Sequence, residues 1–211
     1  MTSRRADGAG AGVLLAAGAG LRLGLGKPKA LLTDGGGSTW LERSVAALRD
    51  GGATPVYVVV GAEAAAVGAA VPAGCLTVQA PDWQEGMGAS LRAGLRAATL
   101  SSPGVDAVVV MLVDTPGVGS DVVRRLLECA ATGALARAAY DGVPGHPVLI
   151  GREHWPGVLD VAAGDRGARD YLQSADVELV ECGDIGTGRD VDTPEALAAL
   201  AAWVMPGHAE S

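Results

Sequence analysis

Four short runs of apolar residues, each stopped by glycine, proline or a charge, leave the first half of the chain little choice of architecture. Val13–Ala17 ends at Gly18, Val56–Val60 at Gly61 and Ala107–Val113 at Asp114, with a further run at Leu76–Gln79. Continuous apolar runs of this length, without polar alternation, predict strands buried on both faces. Spacers of helical length separate them, at 39–49, 62–71, 89–100 and 120–132. In the first spacer Trp40, Leu41, Val45 and Leu48 fall close to one helical stripe. Alternation of this kind means a parallel sheet with right-handed crossovers.

After about residue 135 the rhythm changes. Arg137–Tyr140 and Pro147–Gly151 flank the turn-like Asp141-Gly142-Val143-Pro144-Gly145, which predicts a hairpin or antiparallel insertion. A short helix is expected over 167–173, a strand over 177–181 and a closing helix over 194–204. Thr193 caps that last helix, with Pro194 at its first position. The expected fold is a three-layer α/β/α structure, a mostly parallel, Rossmann-like sheet with a small antiparallel insertion near 136–151. A length of 211 residues suits one domain over 1–211, with an ordered core of about 12–204.

Composition narrows the function classes. Hydrophobic residues make up 49% of the chain but Phe is absent, so Val, Leu, Ile and Ala must build the interior. Lys and Arg total 16 against 24 Asp and Glu, a net charge of −8 that repels phosphate backbones and speaks against nucleic-acid binding. An anionic ligand therefore needs a locally basic pocket. Cys75, Cys129 and Cys182 are far apart and odd in number, which indicates neither a zinc site nor a disulfide framework. No apolar run is long enough to span a membrane, and residues 1–11 lack the apolar stretch of a signal peptide. A cytoplasmic protein with no membrane partner is expected.

One segment supplies the basic pocket. The first strand runs into Gly18-Ala19-Gly20-Leu21-Arg22-Leu23-Gly24-Leu25-Gly26-Lys27-Pro28-Lys29. Glycines let the backbone turn tightly and bring N–H groups to an anion, and three cations stand within eight residues. The combination describes a polyphosphate cradle. It is not a Walker A loop, because Pro28 follows Gly26-Lys27 where serine or threonine is required. A dinucleotide loop wants a helix opening at once and an acid about 20 residues on, and Pro28 interrupts the segment.

Two acidic positions complement the loop. Asp114-Thr115-Pro116 ends an apolar strand, and ligands of open α/β sheets bind outside the carboxyl ends of strands. Magnesium favours one or two carboxylates together with substrate phosphates and water, so Asp114 reads as a metal ligand, with helix capping as the alternative. Asp190-Val191-Asp192 alternates so that both carboxylates face one way. Either one can complete the metal site, and Asp192 can instead cap the closing helix.

Leu15-Ala16-Ala17-Gly18-x-Gly20-x-Arg22-x-Gly24 followed by Pro28-Lys29-Ala30-Leu31-Leu32 resembles the signature loop of the MobA-like nucleotidyltransferases. Within that family it is most similar to the molybdenum-cofactor cytidylyltransferases. The resemblance covers about residues 12–200 and implies the nucleotide-diphospho-sugar transferase type of fold. It also implies transfer of CMP from CTP to a phosphorylated small-molecule acceptor, a molybdopterin, with Mg²⁺ as cofactor and delivery to a molybdoenzyme partner. Arg22 and Lys29 take the roles of the cations that neutralise the triphosphate, with Lys27 as rival for the lysine. Leu15, Ala16, Ala17, Gly18 and Gly20 form the nucleotide loop, and Asp114 with Asp190 or Asp192 forms the metal site. Gly86-Met87-Gly88-Ala89-Ser90 resembles the nucleotide-side motif, with Gly86 and Ser90 as contacts. Gly145-His146-Pro147 and Gly164-Asp165-Arg166-Gly167-Ala168-Arg169 resemble acceptor-side motifs, which gives His146, Arg166 and Arg169 to the acceptor. Other readings are a different acceptor such as a sugar 1-phosphate, a non-catalytic molybdenum-cofactor chaperone, and a nicotinamide dehydrogenase.

Overall fold

The computed structural model describes residues 9–20, 24, 26–33, 36–193 and 195–197. One seven-stranded sheet runs through them in the order β3-β2-β1-β4-β6-β5-β7. Its strands are β1 (Gly10–Leu15), β2 (Val56–Val60), β3 (Leu76–Gln79), β4 (Ala107–Leu112), β5 (Leu135–Tyr140), β6 (Val143–Gly151) and β7 (Glu178–Glu181). All pairings are parallel except those of β6, which runs antiparallel to both β4 and β5. The hairpin expected near 136–151 is therefore part of the main sheet, with β6 as its reversed strand. β1, β2 and β4 are wholly or almost wholly buried, as apolar runs without alternation require.

Helices cover both faces. On one lie α1 (Trp40–Asp50), α2 (Ala64–Ala69) and α4 (Ser120–Leu127), which bury Trp40, Leu41, Leu48, Val67, Val122 and Leu126 against Leu14, Val58 and Val109. On the other lie α3 (Met87–Ser101), α5 (Trp155–Val161) and α6 (Arg169–Gln173), where Leu91, Leu95, Trp155 and Val158 meet Val13, Val59 and Val110. Thr39 starts α1 with a capping box: its hydroxyl accepts from the Glu42 N–H while the Glu42 carboxylate accepts from the Thr39 N–H. The interior is aliphatic as expected, but its largest fully buried side chains include Trp40, Trp155 and Tyr57.

Three elements differ from the sequence reading. The helix expected over 62–71 shortens to α2, because Glu63 adopts a left-handed conformation just before it. α5 has no counterpart in the reading, since Pro156 and Gly157 sit in its first turn and mask the helical pattern. Of the closing helix, residues 195–197 are described and helical, while Pro194 and 198–204 lie outside the described residues. No helix among the described residues is long and apolar enough to cross a membrane.

Candidate active site

The order β3-β2-β1-β4 places β2 and β3 on one side of β1 and β4 on the other, so the chain reverses direction across the sheet at β1/β4. Crevices at such switch points, outside the carboxyl ends of the strands, are where α/β sheets bind ligands. The glycine-rich loop leaves β1 there and Asp114 follows β4 there. The loop's start is pinned from both sides. The Ala16 N–H donates to the Val59 carbonyl at 2.9 Å, and the Val113 N–H to the Leu15 carbonyl at 3.2 Å. Leu15, Ala16 and Ala17 are buried, and Gly18 emerges into solvent.

Lys29 lies at the centre. Its Nζ donates to Asp114 Oδ2 at 2.7 Å and also to Asp192 Oδ1, so one ammonium gathers two carboxylates. Burial disfavours the charge on Lys29, but Asp114 and Asp192 outweigh it and hold the pKa above the ordinary lysine value. Gly20 makes this placement compatible with the loop. Its φ is +66°, and a Cβ there would stand 3.1 Å from Lys29 Cγ and 3.2 Å from Lys29 N. Lys27 is exposed. Arg22 lies outside the described residues.

A separate crossing segment delivers Asp192. After β7 the chain packs over the turn that follows Asp114: Thr187 N–H donates to the Gly117 carbonyl at 3.1 Å, and Val191 N–H to the Asp114 carbonyl at 2.9 Å. A Cβ on Gly117 would lie 2.7 Å from the Thr187 carbonyl oxygen, and one on Gly188 would lie 2.2 Å from Tyr140 Cε2. These glycines admit the close crossing, a signal the sequence holds only as an unexplained Gly186-x-Gly188 pair. The segment is not a strand. Asp190 is exposed, Val191 buried, and Asp192 half-buried beside Lys29. Two carboxylates at one point suit a hard divalent cation that takes its remaining ligands from phosphates and water. No group of three or more His, Cys, Asp or Glu side chains among the described residues is arranged to hold a metal.

At the start of α3 the small residues face the chain itself. A Cβ on Gly86 would lie 2.5 Å from the carbonyl carbon of Gly164, and one on Gly88 2.6 Å from Ala163 N. Arg92 reinforces the contact by donating to the Ala162 carbonyl and to Glu85. Ser90 is buried, at 5% exposure.

That contact also closes one end of a cleft over β1, β4, β6 and β5. His146, Arg166 and Arg169, separate in sequence, line it together with Arg137 of β5. Arg166 pairs with Asp170 at 3.3 Å across one turn. Burial, then Arg137 and Arg169, push the pKa of His146 down to about 4. Tyr140 fixes the His146 backbone by donating its hydroxyl to the His146 carbonyl at 2.8 Å. Of the other histidines, His154 bonds the Tyr171 hydroxyl and the Gly133 carbonyl, a structural tie, while His208 lies outside the described residues.

The model of the MobA-like NTP transferase domain matches residues 12–179. The chain belongs to the MobA-like NTP transferase family. A relative from Paenarthrobacter nicotinovorans, nicotine blue oxidoreductase, is 40% identical over 199 residues, 90% of this chain and 95% of that protein. The crystal structure of Rv0371c from Mycobacterium tuberculosis H37Rv superposes with a TM-score of 0.78 at 28% identity, covering 93% of this chain and 99% of that one. Its complex with manganese gives 0.76 at 26% identity, with the same coverage of both chains. A nucleotidyl transferase from Methanothermobacter thermautotrophicus shares the fold, with a TM-score of 0.76 at 22% identity over 92% of this chain and 96% of that one.

The fold and family expected from the loop motif are thus those of the protein. In this MobA-like chain the crevice joins Lys29, Asp114 and Asp192, and the cleft joins His146, Arg166 and Arg169. Arg137 was missed, because one arginine in a small-residue strand carries no motif.

Proposed function

We propose that this MobA-like protein transfers CMP from CTP to a phosphorylated acceptor of the molybdopterin type and releases pyrophosphate, with Mg²⁺ as cofactor. The observation that supports this best is the pair of carboxylates, Asp114 and Asp192, gathered on Lys29 at the β1/β4 switch point. Asp114 and Asp192 would hold the metal, which would supply positive charge to offset that of the phosphates. Lys29 then has phosphate oxygens to pair with, in place of the carboxylates it binds in the free protein. Arg22 joins it in neutralising the triphosphate, over the backbone of Leu15, Ala16, Ala17, Gly18 and Gly20, with Gly86 and Ser90 on the base side. His146, Arg166 and Arg169 orient the acceptor.

An acceptor phosphate oxygen attacks the α-phosphorus in line. The new O–P bond forms as the bond to the β-phosphate oxygen breaks, and the electron pair leaves with pyrophosphate. A phosphate monoester is largely deprotonated at neutral pH (second pKa about 6), so no protein base is required. Alignment and charge neutralisation are what the site must provide.

A second reading has one observation in its favour: the 40%-identical relative bears the name of an oxidoreductase. In that case the crevice would hold a nicotinamide dinucleotide, which would supply hydride-transfer chemistry to a ligand in the cleft. One experiment separates the two. Purified protein is given CTP, Mg²⁺ and either molybdopterin or a sugar 1-phosphate, and pyrophosphate is measured; NADPH binding is followed by fluorescence in parallel. Pyrophosphate release with molybdopterin supports transfer, and NADPH binding without it supports the second reading.

A further inference from the structure

On the face of the sheet covered by α1 and α4, opposite the cleft, a cavity of about 250 Å³ opens between α1 and the turn that leads from Asp114 into α4. One wall is α1, whose Trp40, Arg43, Ser44 and Ala47 share a stripe of the helix. The other is the turn itself, with Pro116, Val118, Gly119 and Ser120. The end of α1 touches α4 at Gly51, where a Cβ would stand 2.6 Å from Val123 Cβ. Around Gly119 the space is open, and a Cβ there would meet nothing within 4 Å. The volume falls below the roughly 300–1,000 Å³ of sites that hold drug-sized ligands, which suits a small one.

Two independent features leave this lining with donors to spare. α4 begins without a side-chain cap, because Gly119 holds the N-cap position, and the N–H groups of Ser120, Asp121 and Val122 make no hydrogen bond among the described residues. Asp121, the acid of that first turn, pairs with Arg124 instead. Across the cavity, Ser44 is 3% exposed, yet its hydroxyl bonds no protein group among the described residues. It does not return to the carbonyl four residues back, as Ser101 does in α3. Every wholly enclosed side-chain polar atom among these residues has a partner, so the Ser44 hydroxyl opens into the cavity. Arg43 adds positive charge to the same wall. Asp50, the carboxylate that also lines it, is exposed, so water weakens its repulsion of an anion.

We infer that this cavity binds a small phosphate-class oxyanion, with the first-turn N–H groups of α4 and the Ser44 hydroxyl donating to its oxygens and Arg43 balancing its charge. An uncapped helix N-terminus presents aligned N–H donors and partial positive charge, and a buried hydroxyl opposite it completes the cradle. The inference stands on this cavity alone and does not depend on which reaction the crevice performs.

The test is titration of the ¹⁵N-labelled full-length protein with inorganic phosphate at constant ionic strength, read from amide NMR shifts. The amides of Ser120, Asp121 and Val122 should shift saturably with phosphate and not with chloride, whatever phosphate does elsewhere on the protein. Ser44→Ala should weaken that binding about tenfold, the order that one hydrogen bond to a charged group contributes. Gly119→Asp should abolish it, because the new carboxylate caps the same N–H groups; the φ of −98° and the open space at Gly119 admit the side chain. Gly119→Ala should leave the affinity within about twofold. A parallel titration with methyl phosphate separates the sources: equal binding marks a phosphomonoester, binding of inorganic phosphate alone marks the free ion, and either supports the site. Absence of saturable shifts at Ser120, Asp121 and Val122, or an affinity unchanged in both Ser44→Ala and Gly119→Asp, overturns the inference. Absence of pyrophosphate release would refute the transfer reaction and leave these titrations as they are.

Discussion

His146 makes the stability of this protein depend on pH in a way that one substitution can isolate. Burial, followed by Arg137 and Arg169, holds its pKa at about 4 in the folded protein, against about 6.5 for an unperturbed histidine. Between those values the unfolded chain binds a proton that the folded chain refuses. Stability therefore rises with pH across this window and is lost on acidification through it. At pH 4.5 the unfolded histidine is almost fully protonated and the folded one mostly neutral, which costs about 2.5 kcal/mol relative to pH 7. His146→Gln keeps a polar side chain and cannot titrate. Urea unfolding followed by tryptophan fluorescence at pH 7.0, 5.5 and 4.5 reads the effect. The variant should lose about 2.5 kcal/mol less than wild type over that interval. Carboxylates such as Glu181, held low by the Gly142 and Gly183 N–H groups, weaken both proteins alike and cancel. Parallel pH curves for the two proteins would refute the half-buried, cation-flanked placement of His146.

Gly188→Ala should destabilise by about 1–3 kcal/mol in urea unfolding, because its Cβ would stand 2.2 Å from the Tyr140 ring. Combining it with Tyr140→Leu should cost less than the two changes summed, and strict additivity would contradict the contact. Lys29→Met removes the ammonium that Asp114 and Asp192 share, a loss on the order of 2 kcal/mol for a half-buried cluster. The same variant should bind Mn²⁺ more tightly than wild type in calorimetry, since the carboxylates lose their internal cation.

The sequence made the centre of the sheet legible because burial on both faces leaves uninterrupted apolar runs such as Val56–Val60 and Ala107–Leu112. It misplaced the start of β1, where Gly10 and Gly12 are strand residues. The Leu127 and Leu48 side chains occupy the space their side chains would need, a packing role invisible in one dimension. α5 was hidden by Pro156 and by Gly157, whose missing Cβ makes room for Tyr171. At the site, the motif around the glycine loop and the strand-end position of Asp114 were readable. Which of Asp190 and Asp192 lies beside Lys29 was not. Alternation assumes a strand, whereas the segment is a crossing held by the bond from Val191 N–H to the Asp114 carbonyl. Arg137 was illegible for a similar reason: cross-strand pairing of Val13, Val110, Val148 and Arg137 over four strands brings it to the cleft.

The proposed transfer reaction makes Asp114 and Asp192 the reactive centre. The decisive assay is pyrophosphate release from CTP and Mg²⁺ with molybdopterin as acceptor, compared across Asp114→Asn, Asp192→Asn and Asp190→Asn. Wild type and Asp190→Asn should release pyrophosphate, and the other two variants should lose at least about two orders of magnitude, the range for removing one electrostatic group from a reactive centre. Near-normal release by Asp114→Asn or Asp192→Asn would contradict it.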